Sequence, residues 1–257
     1  MRDRDMIGAR VVVAVGAGLA ALVLAACSSS EVPAPPPAPV LGWVVGDGCA
    51  STPERIRADA DGLVAHGVVN AGYRTLYVLC DDAERPAPLD DRALHGYLDE
   101  RGLSMDVVST GDEEIASAMA ADTDLPALRT AITRHVMGAE PLVFTGDAAL
   151  LDPAHIATVT NAQVLAVSQD ARRTAGAPIG GDANRFSRAL GSQGLVVSLT
   201  NDDSTAREMS IQIDEVNLAG DDSVMATDVW TGRRIRSSGG ALTVLVASTD
   251  SALLRIG

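Results

Sequence analysis

Lysine is absent from the sequence, so all 20 basic residues are arginines, against 34 aspartates and glutamates. The resulting formal charge of −14 excludes a nucleic-acid-binding protein, whose basic residues must neutralise phosphates. Aromatic residues make up only 3 %, which leaves few flat faces for a cleft that stacks on sugars. Charged residues are also few, at 21 % against 47 % hydrophobic ones, so the composition predicts a packed core and not global disorder.

Motifs of common cofactor and metal sites are missing as well. There is no P-loop and no G-x-S-x-G elbow. The four histidines, His66, His95, His135 and His155, do not have the spacing of metal ligands. The stretch GAGLAA resembles the dinucleotide fingerprint G-x-G-x-x-A, but the βαβ unit and the acidic residue that must follow are missing. The sequence therefore predicts no cofactor and no metal.

The N-terminus has the pattern of an export signal. An arginine-containing start, MRDRDMIGAR, precedes one apolar run that is too short for a comfortable membrane span. The run ends in LAAC, which resembles the bacterial lipobox, whose cysteine is lipidated; the alternative is an ordinary signal peptide in which Cys27 occurs by chance. We predict a lipoprotein signal over residues 1–27, a Ser/Pro-rich tether over 28–39 and a lipid anchor on the extracytoplasmic face of the cell membrane.

Two further cysteines remain, Cys49 and Cys80, in an exported and oxidising compartment. A disulfide between them is the natural use of such a pair. Two free buried thiols are the alternative.

From Val40 onward, short apolar runs alternate with amphipathic stretches. The patterns predict strands at 40–45, 74–80, 103–110 and 140–146, helices at 53–67, 89–102 and 152–161, two helical pieces within 112–138, and a short strand or bridge at 162–169. Strands that alternate with helices indicate a parallel sheet, so residues 40–170 are predicted to form one α/β domain.

After this domain the rhythm changes to short strands separated by Gly, Asp and Ser turns. Regularly spaced strands without helices are typical of an antiparallel sandwich. We therefore predict a linker over residues 171–182 and a C-terminal β-sandwich over residues 183–257.

Several separate blocks resemble the retaining α-galactosidases of glycoside hydrolase family 27. They are Gly42, Trp43 and Cys49, then AGYRTLYVLCDD (71–82), LHGYLDERGLSMDVVSTG (94–111) and GAEPLVFTGDAALLDPAHIATVTNAQVLAVSQD (138–170). The resemblance implies a (β/α) TIM-barrel-like domain with parallel strands, followed by a C-terminal antiparallel β-sandwich. It also implies that Cys49 and Cys80 bond to each other.

The sequence departs from this family where the family keeps its chemistry. A full barrel takes about 250 residues, whereas roughly 140 lie between Val40 and the sandwich, which indicates a truncated barrel. The family's nucleophile lies in a Lys-x-Asp-x-Cys setting, and its acid/base aspartate in a later loop; neither motif occurs here. Because both motifs are absent, no catalytic residue is assigned. Val78 and Leu79 also take the place of the family's aspartate pair, which binds sugar hydroxyls and does not cleave the bond.

Acidic residues nevertheless follow several predicted strands, at the edge where parallel-sheet proteins bind ligands. The candidate ligand-binding residues are Trp43, Asp47, Asp81, Asp82 and Asp147. For Asp81 and Asp82 the sequence favours a solvated turn over a ligand-binding role. A rebuilt catalytic pair would need carboxyl groups about 5–5.5 Å apart.

The sequence thus predicts a non-catalytic envelope lipoprotein that binds carbohydrate or has a structural or partner-binding role. The alternative is an active glycosidase of the α-galactosidase type. Four parallel strands cannot close a barrel, so we expect the segment 115–138 and the sandwich to cover the opening in a monomer.

Overall fold

A computed structural model describes residues 37–81, 87–109, 111–112, 115, 117–191, 194–218 and 223–257. Cys27, the predicted signal and most of the predicted tether lie outside these residues, as does Asp82. Among the described residues, no helix is both long and apolar enough to cross a membrane.

The first part of the chain forms a parallel sheet. Its strands are β1 (Leu41–Val44), β2 (Thr75–Leu79), β3 (Ser104–Val108), β4 (Met119–Ala120) and β5 (Leu142–Thr145). They lie in the order β3-β2-β1-β5-β4, and each neighbouring pair is parallel. The four strands predicted from the apolar runs are therefore confirmed, and β1 lies at the centre of the sheet.

Five helices accompany these strands. They are α1 (Pro53–Ala65), α2 (Arg92–Asp99), α3 (Leu125–Gly138), α4 (Pro153–Val159) and α5 (Ala162–Ser168). Side-chain caps fix where four of them begin, because an oxygen of Thr52, Asp91, Asp152 or Asn161 accepts a hydrogen bond from a backbone N–H of the first turn.

Two predicted elements differ in the structure. The first helical piece of 112–138 was wrong: the described residues before Leu125 form turns and the short strand β4, which pairs with β5. The predicted strand at 162–169 was also wrong, because this segment is α5. Asn161 accepts hydrogen bonds from the N–H groups of Gln163 and Val164, and this cap starts a helix where the apolar run also suits a strand.

The parallel sheet carries apolar side chains on both faces. On one face, Trp43, Leu76 and Phe144 pack under the helices in the main core. On the other face lies a smaller cluster of Tyr77, Ile115 and Val143. Since α3 belongs to the main core, Ile115 and α3 lie on opposite faces of the sheet, and β4, between them in the chain, is part of the sheet itself.

The rest of the chain forms the antiparallel sandwich. Its strands are β6 (Ala177–Ile179), β7 (Asp182–Ala189), β8 (Leu195–Thr200), β9 (Arg207–Gln212), β10 (Met225–Asp228), β11 (Arg234–Arg236), β12 (Ala241–Val246) and β13 (Ser251–Ile256). Six form a sheet in the order β11-β10-β13-β8-β7-β6, and β9 pairs with β12. The predicted linker, 171–182, contains β6, so the larger sheet begins within it.

The larger sheet of the sandwich is apolar on both faces where it meets the first domain. Leu254 faces the sandwich core, whereas its neighbour Leu253 and Val196 of β8 belong to the main core. Helix α3 lies at this junction, against β5 and also against β13, β7 and β8. The sandwich therefore has a core of its own and also contributes side chains to the main core, which the two parts of the chain share.

Polar contacts reinforce the same junction. Arg129 of α3 forms an ion pair with Asp250 just before β13. The Trp230 Nε1–H donates to Thr133 Oγ1 at 3.1 Å, and the Arg188 guanidinium donates to the Val136 carbonyl at the end of α3.

Candidate functional site

Three of the five candidate ligand residues come together at the carboxyl edge of the parallel sheet. Asp47 follows β1, Asp81 follows β2 and Asp147 follows β5. The three strands are adjacent and parallel, so their carboxyl ends meet at one edge. This is the edge at which open α/β sheets bind their ligands.

An arginine of α1 connects two carboxylates at this edge. The Arg55 Nη2 lies 3.2 Å from Asp59 Oδ1 and 3.4 Å from Asp147 Oδ2. Asp59 follows Arg55 by one helical turn, which places both side chains on the same side of α1. The arginine thereby ties α1 to the loop after β5.

Asp59 is the most buried of these carboxylates, with 8 % of its side chain exposed. Its Oδ2 accepts a hydrogen bond from the Gly46 N–H at 2.8 Å, which holds the loop after β1 against α1. Burial raises the pKa of the Asp59 carboxyl above its ordinary value; the Gly46 N–H and Arg55 oppose that rise, and the charges of Asp147 and Asp47 add to it.

Asp147 and Asp47 have local structural contacts of their own. Asp147 Oδ1 accepts from the Ala149 N–H at 2.9 Å and caps the short 3₁₀ helix that follows β5. Asp47 is exposed, and its backbone N–H donates to the buried Ser51 hydroxyl at 2.6 Å. Of the two, only Asp47 has a side chain turned largely to solvent.

A disulfide joins the loops after β1 and β2. Cys49 and Cys80 are bonded, with their Cα atoms 4.8 Å apart. Gly48 lets the two loops approach closely: its φ is +64°, and an added Cβ would lie 2.7 Å from the Leu79 carbonyl oxygen. Together with Arg55, the disulfide braces the loops after β1, β2 and β5.

Trp43, the fourth candidate, is buried and not exposed at this edge. Only 1 % of its surface is exposed, and its ring packs against Tyr73 and Phe144 in the main core. The indole Nε1–H donates to the Gly146 carbonyl at 2.7 Å, which anchors the loop after β5. The Trp43 side chain thus helps to position the loop after β5, and neither face of its ring is open to a ligand.

Asp81 is exposed and follows the disulfide directly, whereas Asp82 lies outside the described residues. No group of three or more His, Cys, Asp or Glu side chains within the described part of the chain could hold a metal ion.

Asp59 is the residue of this edge that sequence reasoning missed. In the sequence, Asp59 is one polar residue among several on an amphipathic helix. Its distance along the chain from strands β1 and β5 gives no indication that it lies beside them. One signal was present: Arg55 and Asp59 form an i, i+4 pair beside the helix N-terminus, which faces the carboxyl ends of the strands.

Chemically, the edge offers braced loops that present two exposed carboxylates, Asp47 and Asp81, beside an internal Asp59–Arg55–Asp147 group. Exposed carboxylates accept hydrogen bonds from hydroxyl groups. Asp47 lies in the loop that the Gly46–Asp59 hydrogen bond holds against α1, and Asp81 directly follows the bonded Cys80.

The C-terminal part of the chain matches a known family model. Residues 180–256 match the alpha galactosidase C-terminal beta sandwich domain, and they include all of β7 to β13.

Solved α-galactosidase structures share the fold over most of the chain. Alpha-galactosidase I from Mortierella vinacea superposes with a TM-score of 0.68 at 14 % identity, covering 85 % of this chain and 96 % of that one. The α-galactosidase of Saccharomyces cerevisiae gives 0.66 at 11 % identity, covering 86 % and 97 %. The same yeast enzyme, in a structure with raffinose, gives 0.64 at 10 % identity, with the same coverage.

No sequence among curated proteins matches this chain. The likeness to α-galactosidases therefore lies in the fold: a parallel α/β region followed by an antiparallel β-sandwich. The fold class and the α-galactosidase-like architecture expected from the sequence are confirmed.

Proposed function

We propose that this chain is an α-galactosidase-like protein of the cell envelope that binds glycan without cleaving it. The observation that carries the proposal is the Asp59–Arg55–Asp147 group. Both carboxylates in it are occupied by contacts that hold the loops after β1 and β5 in place. A structural or partner-binding role in the envelope is the other non-catalytic form of this proposal.

The contacts of the two carboxylates favour a bracing role over acid/base chemistry. A retaining glycosidase needs two accessible carboxyl groups on either side of one glycosidic bond. Asp59 is buried, with one oxygen on the Gly46 N–H and the other facing Arg55. Asp147 divides its oxygens between the Ala149 N–H and the same guanidinium. A substrate would have to displace Arg55 to reach both groups.

We further propose that the domain derives from a closed barrel by loss of strands. The described sheet has five strands, whereas closure at the usual tilt takes about eight. Ile115 packs on Tyr77 and Val143, on the face that a barrel would turn inward, and so replaces part of the missing interior. A monomer in light scattering would agree with this, and a stable dimer would indicate joined half-barrels.

The envelope location rests on the lipobox-like sequence that ends at Cys27. Replacing the cysteine, Cys27→Ala, should move the protein out of the membrane fraction after cell breakage. A variant that still partitions into detergent would contradict lipid anchoring.

Glycan binding is tested directly by titrating galacto-oligosaccharides and cell-wall glycans into the exported protein by calorimetry. Saturable binding is the expected result. Absence of binding to every glycan would overturn the glycan proposal and leave the structural or partner-binding role.

A second candidate function, glycoside hydrolysis, has one observation in its favour. Burial raises the pKa of the Asp59 carboxyl, as in the general acid of a glycosidase, and Asp59 shares an arginine with a second carboxylate, Asp147. Turnover of an aryl α-galactoside that is abolished in Asp147→Asn but kept in Asp182→Asn, a surface control, would establish this alternative. We expect no turnover above background.

A further inference from the structure

A row of side chains crosses the outer face of the larger sandwich sheet. Thr227 of β10 lies opposite Arg234 of β11 on one side and opposite Arg255 of β13 on the other. Residues that are directly opposite in an antiparallel sheet share a face. The alternate residues of the same strands, Ile235 and Ile256, point into the sandwich core, so the arginines point outward.

The spacing of three arginines follows from this register. Arg234 and Arg255 lie two strands apart, which is about 10 Å between backbones. Arg236 lies opposite Met225 and two residues beyond Arg234, which is about 7 Å along the strand. All three arginines are exposed.

None of these three arginines has a salt-bridge partner within the described part of the chain. Other arginines, such as Arg101, Arg134 and Arg207, do form ion pairs. The contrast is marked in a chain whose formal charge is −14, because carboxylates outnumber arginines overall. Asp221 and Asp222 lie in the adjoining sequence but outside the described residues, so they do not enter this comparison.

The arginine row borders a concave surface and not a flat one. A cavity of about 590 Å³ is lined by Arg234, Arg255, Thr227, Met225, Leu195 and Leu218, among others. Leu195 and Leu218 are half-buried in its wall, and Met225 is the one exposed large apolar side chain among its described lining residues, whereas a surface that inserts into a bilayer projects several. The mixture of guanidinium, hydroxyl and recessed apolar groups suits a polar chain ligand with fixed negative charges.

We propose that Arg234, Arg236 and Arg255 form a binding surface for an acidic glycan, whose oxyanion groups pair with Arg234 and Arg255 at the cavity and with Arg236 beside it. An arginine presents a planar fork of N–H donors that matches a carboxylate or phosphate in a bidentate geometry. The backbone spacing of about 10 Å lets two arginines bind charges on separate sugar units. The proposal rests on the glycan-binding function proposed above and assigns to it a ligand class and a location on the sandwich.

The test uses the whole exported chain and hexagalacturonate, a defined chain of uronic acids, with its fully methyl-esterified form as the neutral match. Binding is measured by calorimetry for the wild type, for Arg234→Gln/Arg255→Gln and for Arg92→Gln/Arg172→Gln. Arg92 and Arg172 are exposed and form no ion pair in the described chain, so each double variant removes two exposed, unpaired positive charges. All replaced side chains are exposed, and circular dichroism checks that the variants fold.

The expected result is binding of hexagalacturonate by the wild type, at least tenfold weaker in the Arg234/Arg255 variant and within twofold in the control. The methyl ester should not bind, and raising the salt concentration should weaken binding. Equal weakening in both double variants would overturn the proposal, because the attraction would then depend only on net charge.

Two further arms separate this inference from the proposed function. Binding of neutral galacto-oligosaccharides, without binding of hexagalacturonate, would overturn the acidic-glycan surface and leave glycan binding in place. Binding to phosphatidylglycerol vesicles that depends on Arg234 and Arg255, without binding of hexagalacturonate, would show that the surface contacts anionic lipid and would overturn the proposal. No binding to any glycan would contradict both proposals.

Discussion

At the scale of single residues, Gly42 in the parallel sheet has no room for a side chain. It lies in the central strand β1, and the ring of Tyr77 crosses its Cα from β2. A Cβ at this position would lie 2.4 Å from Tyr77 Cε2 and 3.3 Å from the Thr75 carbonyl oxygen. Tyr77 is itself buried and supports the small cluster on the second face.

Gly42→Ala should therefore lower the free energy of unfolding by about 1–3 kcal/mol, the usual cost of overpacking. The matched control is Gly96→Ala in helix α2, where no atom lies within 4 Å of the added carbon. That substitution should raise stability by about 0.5–1 kcal/mol, because alanine loses less backbone entropy in a helix. Urea denaturation measures both, and equal effects of the two variants would contradict this account.

His155 is held between two oxygen acceptors. Its Nδ1 lies 2.9 Å from Asp152 Oδ1 and its Nε2 lies 2.9 Å from the Thr123 carbonyl oxygen. Only the doubly protonated ring donates to both. The hydrogen bond to Asp152 raises the pKa of His155, with further contributions from Thr123 and the charge of Asp122, whereas burial opposes the rise.

The stability that His155 contributes should be fully present below its unfolded-state pKa and should disappear as the pH rises through the higher folded-state pKa. The difference in unfolding free energy between the wild type and His155→Gln should thus be larger at pH 5.5 than at pH 9. Denaturant titrations at both values test this, and a pH-independent difference would show that the ring acts by packing alone.

At the scale of elements, the disulfide between Cys49 and Cys80 closes a loop that contains α1 and β2. Replacing both cysteines by serine should cost about 3–4 kcal/mol by the loop-entropy relation for a separation of 31 residues. Thermal or urea unfolding of the variant measures this loss. Mass spectrometry of the untreated protein should find neither thiol available for alkylation, and alkylation of both without reduction would contradict the pairing.

Elements with a strong local pattern could be predicted from the sequence, and those decided by distant partners could not. The strands β1, β2, β3 and β5 stand out because each is an apolar run between turn residues. Residues 119–120 became the strand β4 because β5 lies beside them, although the surrounding composition favours a helix.

Strand β7 could not be recognised from a local pattern either. Its sequence, DANRFSRA, shows no apolar alternation. Its two arginines are accommodated by distant partners, since Arg188 is buried by a contact with α3 and Arg185 pairs with Glu215.

At the site, the strand-end positions of Asp47 and Asp147 could be predicted. The inclusion of Asp59 could not, because only the packing of α1 against the loops after β1 and β5 reveals it.

At the scale of the whole molecule, the shared core makes the α/β domain and the sandwich interdependent. Leu253 is fully buried and reaches from β13 into the main core, beside Val196. Arg129 and Asp250 cross the same junction as an ion pair. We therefore expect one cooperative unfolding transition for the two domains.

Leu253→Ala should lower the unfolding free energy by about 2–5 kcal/mol and keep a single transition. Leu245→Ala is the control, because this leucine of β12 is 63 % exposed and should change stability by less than about 0.5 kcal/mol. Calorimetry distinguishes the outcomes. Two resolved transitions, of which the Leu253 variant shifts only one, would show that the domains unfold separately.

The position of β13 has a consequence for synthesis of the protein. This strand follows the other twelve described strands in chain order, yet it lies between β8 and β10 and supplies Leu253 to the core of the first domain. During synthesis its residues therefore leave the ribosome after those other strands, and neither domain can be completed before they emerge. A deletion of Ser251–Ile256 would leave a gap in the larger sheet and in the main core at once. Such a chain would be a substrate for proteases although the sequences of the other described strands are intact.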